Sequence, residues 1–300
     1  MVTKIIAPIL NQIPMTRLRL FIARALYILL HCVLRKDNHI IRRHSVTYDV
    51  DLAEGIDLSL FIFGNFQNHV TSSKYLDLPQ NPVIFDIGAN IGSMALRFAQ
   101  RTPFVKVYAF EPTNFAYNKL MRNLSLNPEL ARRITPVQLF LSDRSVSNSH
   151  MKAYSSWRVD GRVTDAHPLH GGTIKSAASV PAVTIDDFCI ENKVPRIDLI
   201  KIDTDGHELR VLKGARRTVA RHVPYIIFEL GIYVMQEMGI EFEQFYSYFL
   251  KFNYKLLNAK NGRNITLQNF GYQIPRRSTI DIIAIPPNTT VSYGSCQRQF

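Results

Sequence analysis

Residues 83–96, VIFDIGANIGSMAL, hold the most concentrated chemistry in the chain. An apolar run leads into Asp86, Gly88, Ala89, Asn90 and Gly92, and a helical pattern follows with Met94, Ala95, Phe98 and Ala99 on one face. Gly88 and Gly92 permit a tight turn and let backbone approach a ligand with no Cβ between them. The start of the helix offers free N–H groups to a carboxylate or another anion. A second apolar run, Lys106–Phe110, ends in Glu111-Pro112, where an acid can accept two hydrogen bonds from a ribose diol. A dinucleotide loop reads G-x-G-x-x-G and faces a pyrophosphate. Here the spacing is D-x-G-x-x-x-G, and the acid ahead of the glycines would repel a pyrophosphate. It suits a nucleoside carrying ammonium and sulfonium charges, which describes S-adenosylmethionine. A turn-stabilising or helix-capping carboxylate is the plain alternative for Asp86.

Transfer of a sulfonium methyl group is an in-line displacement, so holding both reactants in line supplies much of the rate. An alcohol acceptor must also lose a proton, which calls for a base or a metal ion. The run KIDTDGHE offers Lys201, Asp203, Asp205, His207 and Glu208 at the end of another apolar strand. Asp203 is the preferred base or metal ligand. Glu229 closes the next strand, so the two carboxylates can converge and hold Mg²⁺ against an acceptor oxygen. Pairing of Asp203 with Lys201 on the same strand face is the structural alternative. His207 has the titration range of a general base, or is simply a solvated loop histidine. Arg144–Pro181 lacks a long apolar period and holds Trp157, His167, His170, Gly161, Gly171 and Gly172; acceptor recognition is assigned there.

These residues need a sheet behind them. Apolar runs at Val83–Ile87, Val105–Phe110, Val137–Leu141, Ile197–Ile202, Tyr225–Leu230, Tyr254–Leu257 and Thr279–Ile285 read as strands covered on both faces. Helical patterns at Asn114–Leu126 and Glu208–His222 alternate with them, which implies an α/β fold with a doubly wound, mostly parallel seven-stranded sheet. The last two runs are joined through Asn261-Gly262 and Pro275 with no convincing helix, so they read as a terminal antiparallel hairpin. Upstream, Ser45–Leu52 alternates, Gly55 punctuates, and Ile56–Phe63 reads as a resumed strand. The expected divisions are a basic, apolar helical extension (1–38), a lead-in (39–80), the catalytic domain (81–287) and a tail (288–300).

The 300 residues are 46% hydrophobic and 20% charged with near-neutral mean hydropathy, which excludes wholesale disorder. Cys32, Cys189 and Cys296 have no metal-ligand spacing and leave one unpaired, so a reducing, cytoplasmic compartment is expected. The formal charge is +12, and residues 1–45 carry eight Lys and Arg against Asp37 alone. In that head, Leu18–Leu34 is interrupted by Arg24, leaving a run far short of the ~20 residues of a spanning helix. The segment 16–36 is therefore expected to lie against something apolar: the protein's own domain first, a partner or a peripheral membrane surface otherwise.

FDIGANIGS, YAFEPTNFAYNKLMRNLSLN, the V-T-I-D-D-F segment and DLIKIDTDGHELRVLKGA together resemble the FkbM family of class I methyltransferases, from about Leu60 to Ile285. The resemblance implies methyl transfer from S-adenosylmethionine, usually to a hydroxyl of a sugar, glycolipid or polyketide-like product. It implies that Asp86, Gly88, Asn90 and Gly92, with Ala89 in the same loop, line the methionine moiety, that Glu111 holds the ribose, and that Ser142 and Asp143 meet the adenine. Asp205 departs from the family pattern, which usually has glutamate there. The expected partner is a small-molecule or glycan acceptor. An RNA methyltransferase is the rival suggested by the pI near 9.7, but the excess charge lies in the head and the N-P-P-[YF] turn is missing. A nicotinamide oxidoreductase is disfavoured by the missing G-x-G-x-x-G, and a non-catalytic membrane-peripheral scaffold by the intact glycine loop.

Overall fold

The structure is a computed structural model describing residues 17–64, 67–147, 152–160, 172–176, 180–276, 278–287 and 289. Helix α1 (Arg17–Leu34) precedes a hairpin of β1 (Asn38–Arg43) and β2 (Val46–Asp51), then α2 (Gly55–Phe63) and α3 (Asn68–Thr71). The next elements are β3 (Val83–Ile87), α4 (Ser93–Ala99), β4 (Lys106–Phe110), α5 (Asn114–Ser125), α6 (Pro128–Ala131) and β5 (Ile134–Val137). Two small side sheets pair β6 (Phe140–Leu141) with β9 (Ala182–Val183) and β7 (Lys152–Trp157) with β8 (Gly172–Ser176). Helix α7 (Ile185–Glu191) leads to β10 (Leu199–Ile202), α8 (Glu208–Lys213), α9 (Arg216–His222) and β11 (Tyr225–Gly231). The fold closes with α10 (Ile232–Glu237), α11 (Phe242–Leu250), β12 (Lys255–Asn258), α12 (Phe270–Gln273) and β13 (Thr279–Ile285).

The main sheet has the order β12-β13-β11-β10-β3-β4-β5, parallel from β5 to β11, with β13 antiparallel to both of its neighbours. The expected doubly wound sheet and terminal hairpin are therefore present. Strands read as continuous apolar runs because alternate residues enter two cores: Phe85, Phe110, Ile200 and Phe228 on one face, Ile84, Val107, Leu199 and Ile227 on the other. Met94, Ala95, Phe98 and Ala99 of α4 are buried against the second. The chain winds outward from β3 to β5, then returns to set β10 beside β3 on the other side. Ligands bind at such a reversal, outside the carboxyl ends of the strands.

Three expectations need correction. Ile56–Phe63 lies in helix α2, because Gly64 takes a left-handed conformation (φ 73°) and returns its N–H to the Leu60 carbonyl, closing a helix where the apolar run had suggested a strand. The third strand is β5, starting three residues before the expected Val137–Leu141 and ending four before it; Pro136 is tolerated because β5 is a sheet edge, and Phe140–Leu141 leaves to pair with β9. The helix over 208–222 breaks at Gly214-Ala215. Gly214 packs so closely on the Ser142 carbonyl that a Cβ would lie 2.0 Å from it, and Asp186 accepts the Arg217 and Thr218 N–H groups to restart the chain as α9. The β12–β13 connection also holds the single-turn α12.

Helix α1 rests on the domain, as favoured from its length. Ala23, Tyr27, Leu30 and Leu34 meet Leu52, Ala53, Leu58 and Val159. Among the described residues, no helix is long and apolar enough to cross a membrane.

The aromatic set under the turn holds the first core together. Phe85 is fully buried, with the rings of Tyr108 and Phe110 at 5.1 Å and Phe188 at 5.8 Å. Phe85→Ala is expected to lose about 3–5 kcal/mol of stability in urea unfolding. A loss under about 1 kcal/mol would contradict that packing.

Candidate active site

Strand register lines the charged residues up. Ile87 pairs with Ile202 and Phe110, and Ile202 with Phe228, so the next residues along, Glu111, Gly88, Asp203 and Glu229, stand side by side at the strand ends. Glu229 in turn pairs with Asp281 of β13. Period two puts Asp86 and Lys201, paired with one another, one step below on the same face. The row is a ledge of carboxylates interrupted at Gly88.

The turn beneath is held by backbone. Gly88 and Ala89 donate to the Phe110 carbonyl at 3.0 and 2.9 Å. Gly88 has φ +76°, and a Cβ there would lie 1.8 Å from the Asp203 carbonyl oxygen, so only glycine lets β3 and β10 close up. Asn90 is also left-handed (φ 49°), and its N–H donates to Glu111 Oε2 at 3.0 Å. The other Glu111 oxygen accepts from Thr113 N–H and Oγ1 at 2.9 and 2.6 Å. Glu111 is thus the pin of the loop as well as the expected ribose acceptor. Burial raises its pKa, and the Thr113 and Asn90 bonds pull the other way.

Lys201 sits at the centre. Its Nζ lies 3.2 Å from Asp86, 3.6 Å from Asp203 and 3.3 Å from the Gly88 carbonyl, to which it donates. Burial would lower its pKa, but Asp86 and Asp203 outweigh it and hold the ammonium above its usual value. Asp86 is fully buried; that burial raises its pKa, and the neighbouring Lys201 ammonium pulls the other way.

Glu229 and Asp205 crowd the open side. Carboxylate oxygens of Asp203, Asp205 and Glu229 lie within 4.8 Å of one another, so the expected convergence of Asp203 and Glu229 is seen, with Asp205 added. Burial, then repulsion from Asp203 and Asp281, raises Glu229 well above the usual carboxylate range, while Thr279 Oγ1 donates to it at 2.6 Å. Asp205 is left-handed (φ 51°) and is the exposed member of the three. Protein packed around its carboxyl, then repulsion from Asp203 and Glu208, raises it well above its ordinary value. Glu208 is spent on the loop itself, accepting from Thr204 N–H and Oγ1 and from Gly206 N–H.

Ser142 and Asp143 follow β6 rather than the third sheet strand, because the chain leaves the sheet after Val137. Ser142 is buried, donates to Asp143 Oδ1 at 3.1 Å, and sends its N–H to the Val183 carbonyl. His207 stands at the N-cap position of α8, and its ring meets that of Phe140 edge-on at 5.2 Å. Residues 148–151, 161–171 and 177–179 of Arg144–Pro181, including His167 and His170, lie outside the described residues. Two site neighbours were missed from sequence: Asp281, and His69, whose Nε2 lies 2.6 Å from Asp281 Oδ2. The pairing of Thr279–Ile285 with the Glu229 strand was the available signal for Asp281; nothing pointed to His69.

The crowding gives a pH signature. Folding raises the Glu229 pKa, so the folded chain keeps a proton that the unfolded chain releases. Stability tied to it is complete below the unfolded value, about pH 4.3, and is lost as pH rises through the folded value. Glu229→Gln keeps an acceptor for Thr279 and should fall less steeply in urea-derived stability between about pH 5 and pH 9 than the parent. Equal slopes would contradict the assignment. Gly88→Ala should cost more than about 2 kcal/mol, from the clash and the left-handed φ together.

The family profile described as Methyltransferase FkbM domain matches residues 86–256. The chain is 33% identical over 162 residues to the methyltransferase sdnD of Sordaria araneosa, covering 46% of this chain and 62% of that protein. It is 30% identical over 151 residues to the 2-O-methyltransferase NoeI of Sinorhizobium fredii (47% and 60% covered). It is 25% identical over 151 residues to the hexuronic acid methyltransferase AglP of Haloferax volcanii (50% and 56%). The matches span about three fifths of the length of these relatives. A solved FkbM methyltransferase from Methylobacillus flagellatus aligns at 17% identity and a TM-score of 0.43, covering 75% of this chain and 52% of that one. With the profile spanning more than half of its residues, including the glycine turn, Glu111, the KIDTDGHE strand end and Glu229, the chain belongs to the FkbM methyltransferase family.

Proposed function

We propose that this chain transfers a methyl group from S-adenosylmethionine to a hydroxyl of a saccharide, glycolipid or related small molecule. The observation that carries the reading is the carboxylate ledge, in which Asp86, Asp203, Asp205 and Glu229 outnumber the single buried Lys201. Such a site fits a ligand bearing net positive charge. The printed names of two relatives, a hexuronic acid methyltransferase and a 2-O-methyltransferase, support an oxygen acceptor on a sugar.

S-Adenosylmethionine, when bound, supplies a methyl group on a sulfonium whose departure leaves a neutral thioether. Asp86, Gly88, Ala89, Asn90 and Gly92 hold the amino-acid end, with Glu111 on the ribose and Ser142 and Asp143 beside the adenine. Asp203 stands at the strand end with its carboxylate partly open to solvent, where it orients the acceptor hydroxyl and takes its proton. Lys201 keeps Asp203 in place. His207, at the start of α8, is the second candidate for the proton.

Glu111→Ala should weaken cofactor binding, read by calorimetry. Asp203→Asn should leave that affinity within about threefold while lowering turnover by about 10²-fold or more, the scale of a lost acid–base group. Intact turnover would remove Asp203 from the mechanism. The clustering of Asp203, Asp205 and Glu229 favours one further reading, in which these three carboxylates would hold Mg²⁺ and the ion would ease loss of the acceptor hydroxyl's proton. Activity abolished by EDTA and restored by Mg²⁺ supports it; activity unchanged by EDTA rejects it. The acceptor class is tested by labelled-methyl transfer to fractionated glycans, lipids and RNA, and label in RNA alone would overturn the saccharide reading.

A further inference from the structure

We infer that the outer face of α1 is a docking surface for an anionic lipid bilayer. The helix carries two apolar faces. One is packed on the domain through Ala23, Tyr27, Leu30 and Leu34. On the other, Phe21, Ile28, Leu29 and Val33 are 69, 59, 61 and 70% exposed. These positions recur at i, i+7, i+8 and i+12, which on a helix is one continuous stripe. Large apolar side chains grouped in this way on a soluble surface mark an interaction site, whereas scattered ones need no explanation.

Charge identifies the occupant. Arg24 is exposed on the flank of the stripe, and Arg35 and Lys36 are exposed where the helix ends. Residues 1–45 carry eight basic side chains, and their one acid, Asp37, is engaged by His31 Nδ1 at 2.8 Å. A second copy of the chain would set this basic rim against its own likeness. An anionic bilayer supplies the opposite sign, attracting basic groups beside the membrane while the apolar stripe enters the headgroup boundary. Arg24 near the middle of the 18-residue helix fits a helix lying in the interface plane, and no described helix is able to cross. This surface lies apart from the carboxylate ledge, and the inference stands independently of methyl transfer.

The test uses the full chain, sedimented with phosphatidylcholine vesicles alone or with about a third phosphatidylserine. The chain is expected to co-sediment with the anionic vesicles at least about tenfold more than with the neutral ones, and less as salt rises. Neutralising Arg24 or Lys36, as Arg24→Gln or Lys36→Gln, should each lower partitioning about fivefold. Replacing Phe21, Ile28, Leu29 and Val33 together by serine should abolish it with the thermal midpoint unchanged, since these side chains are exposed. Absence of partitioning by the folded chain overturns the inference, as does equal binding to neutral vesicles. Loss of a concentration-dependent dimer in the serine variant, without vesicle binding by the parent, would assign the face to a second copy instead.

Discussion

One imbalance organises this molecule: carboxylates gather at the ends of five neighbouring strands, and a single buried ammonium stands among them. Lys201 neutralises Asp86 and Asp203 from below and bonds the Gly88 carbonyl, so the cation also braces the turn. Around Glu229 and Asp205 the balance tips the other way: burial, then repulsion from neighbouring carboxylates, raises both pKa values. Buried charges of one sign are costly unless paired, and a fold that keeps them has placed them for something that arrives later. A positively charged nucleoside answers that description better than any anion.

The rest of the fold serves the same row. Two apolar cores fix the strands in register, and register alone aligns Glu111, Gly88, Asp203, Glu229 and Asp281. A slip of one residue would turn the whole row into the opposite core. Gly88 is the narrow point, since the approach of β3 to β10 leaves no space for a Cβ. Glu111 is used twice, once as a carboxylate of the row and once as the acceptor that ties Asn90 and Thr113 into their loop, while Glu208 ties Thr204 and Gly206 into theirs. Removing either would therefore disturb geometry as well as charge.

Much of this was legible from residue order. Strands covered on both faces announce themselves as apolar runs, and the acid ahead of the glycines separated a sulfonium nucleoside from a dinucleotide before any coordinates. What was not legible has physical causes. Ile56–Phe63 is apolar throughout, so periodicity could not tell helix from strand, and only the left-handed Gly64 decides it. The third strand was displaced because the apolar run Val137–Leu141 joins the last residue of β5 to the whole of β6, two pieces that pair in different sheets. His69 reached the row through a contact more than two hundred residues away in sequence, which no local pattern encodes. Convergence of Asp203 with Glu229 was readable from parallel strand ends, whereas the addition of Asp205 depends on a backbone twist that sequence does not show.

Calorimetric titration with S-adenosylmethionine, repeated in buffers of different ionisation enthalpy, reaches the central claim most directly. Arrival of a cation should let the crowded acids ionise, so the account requires saturable binding accompanied by net proton release near neutral pH. Absence of saturable binding, or binding with proton uptake, would contradict it.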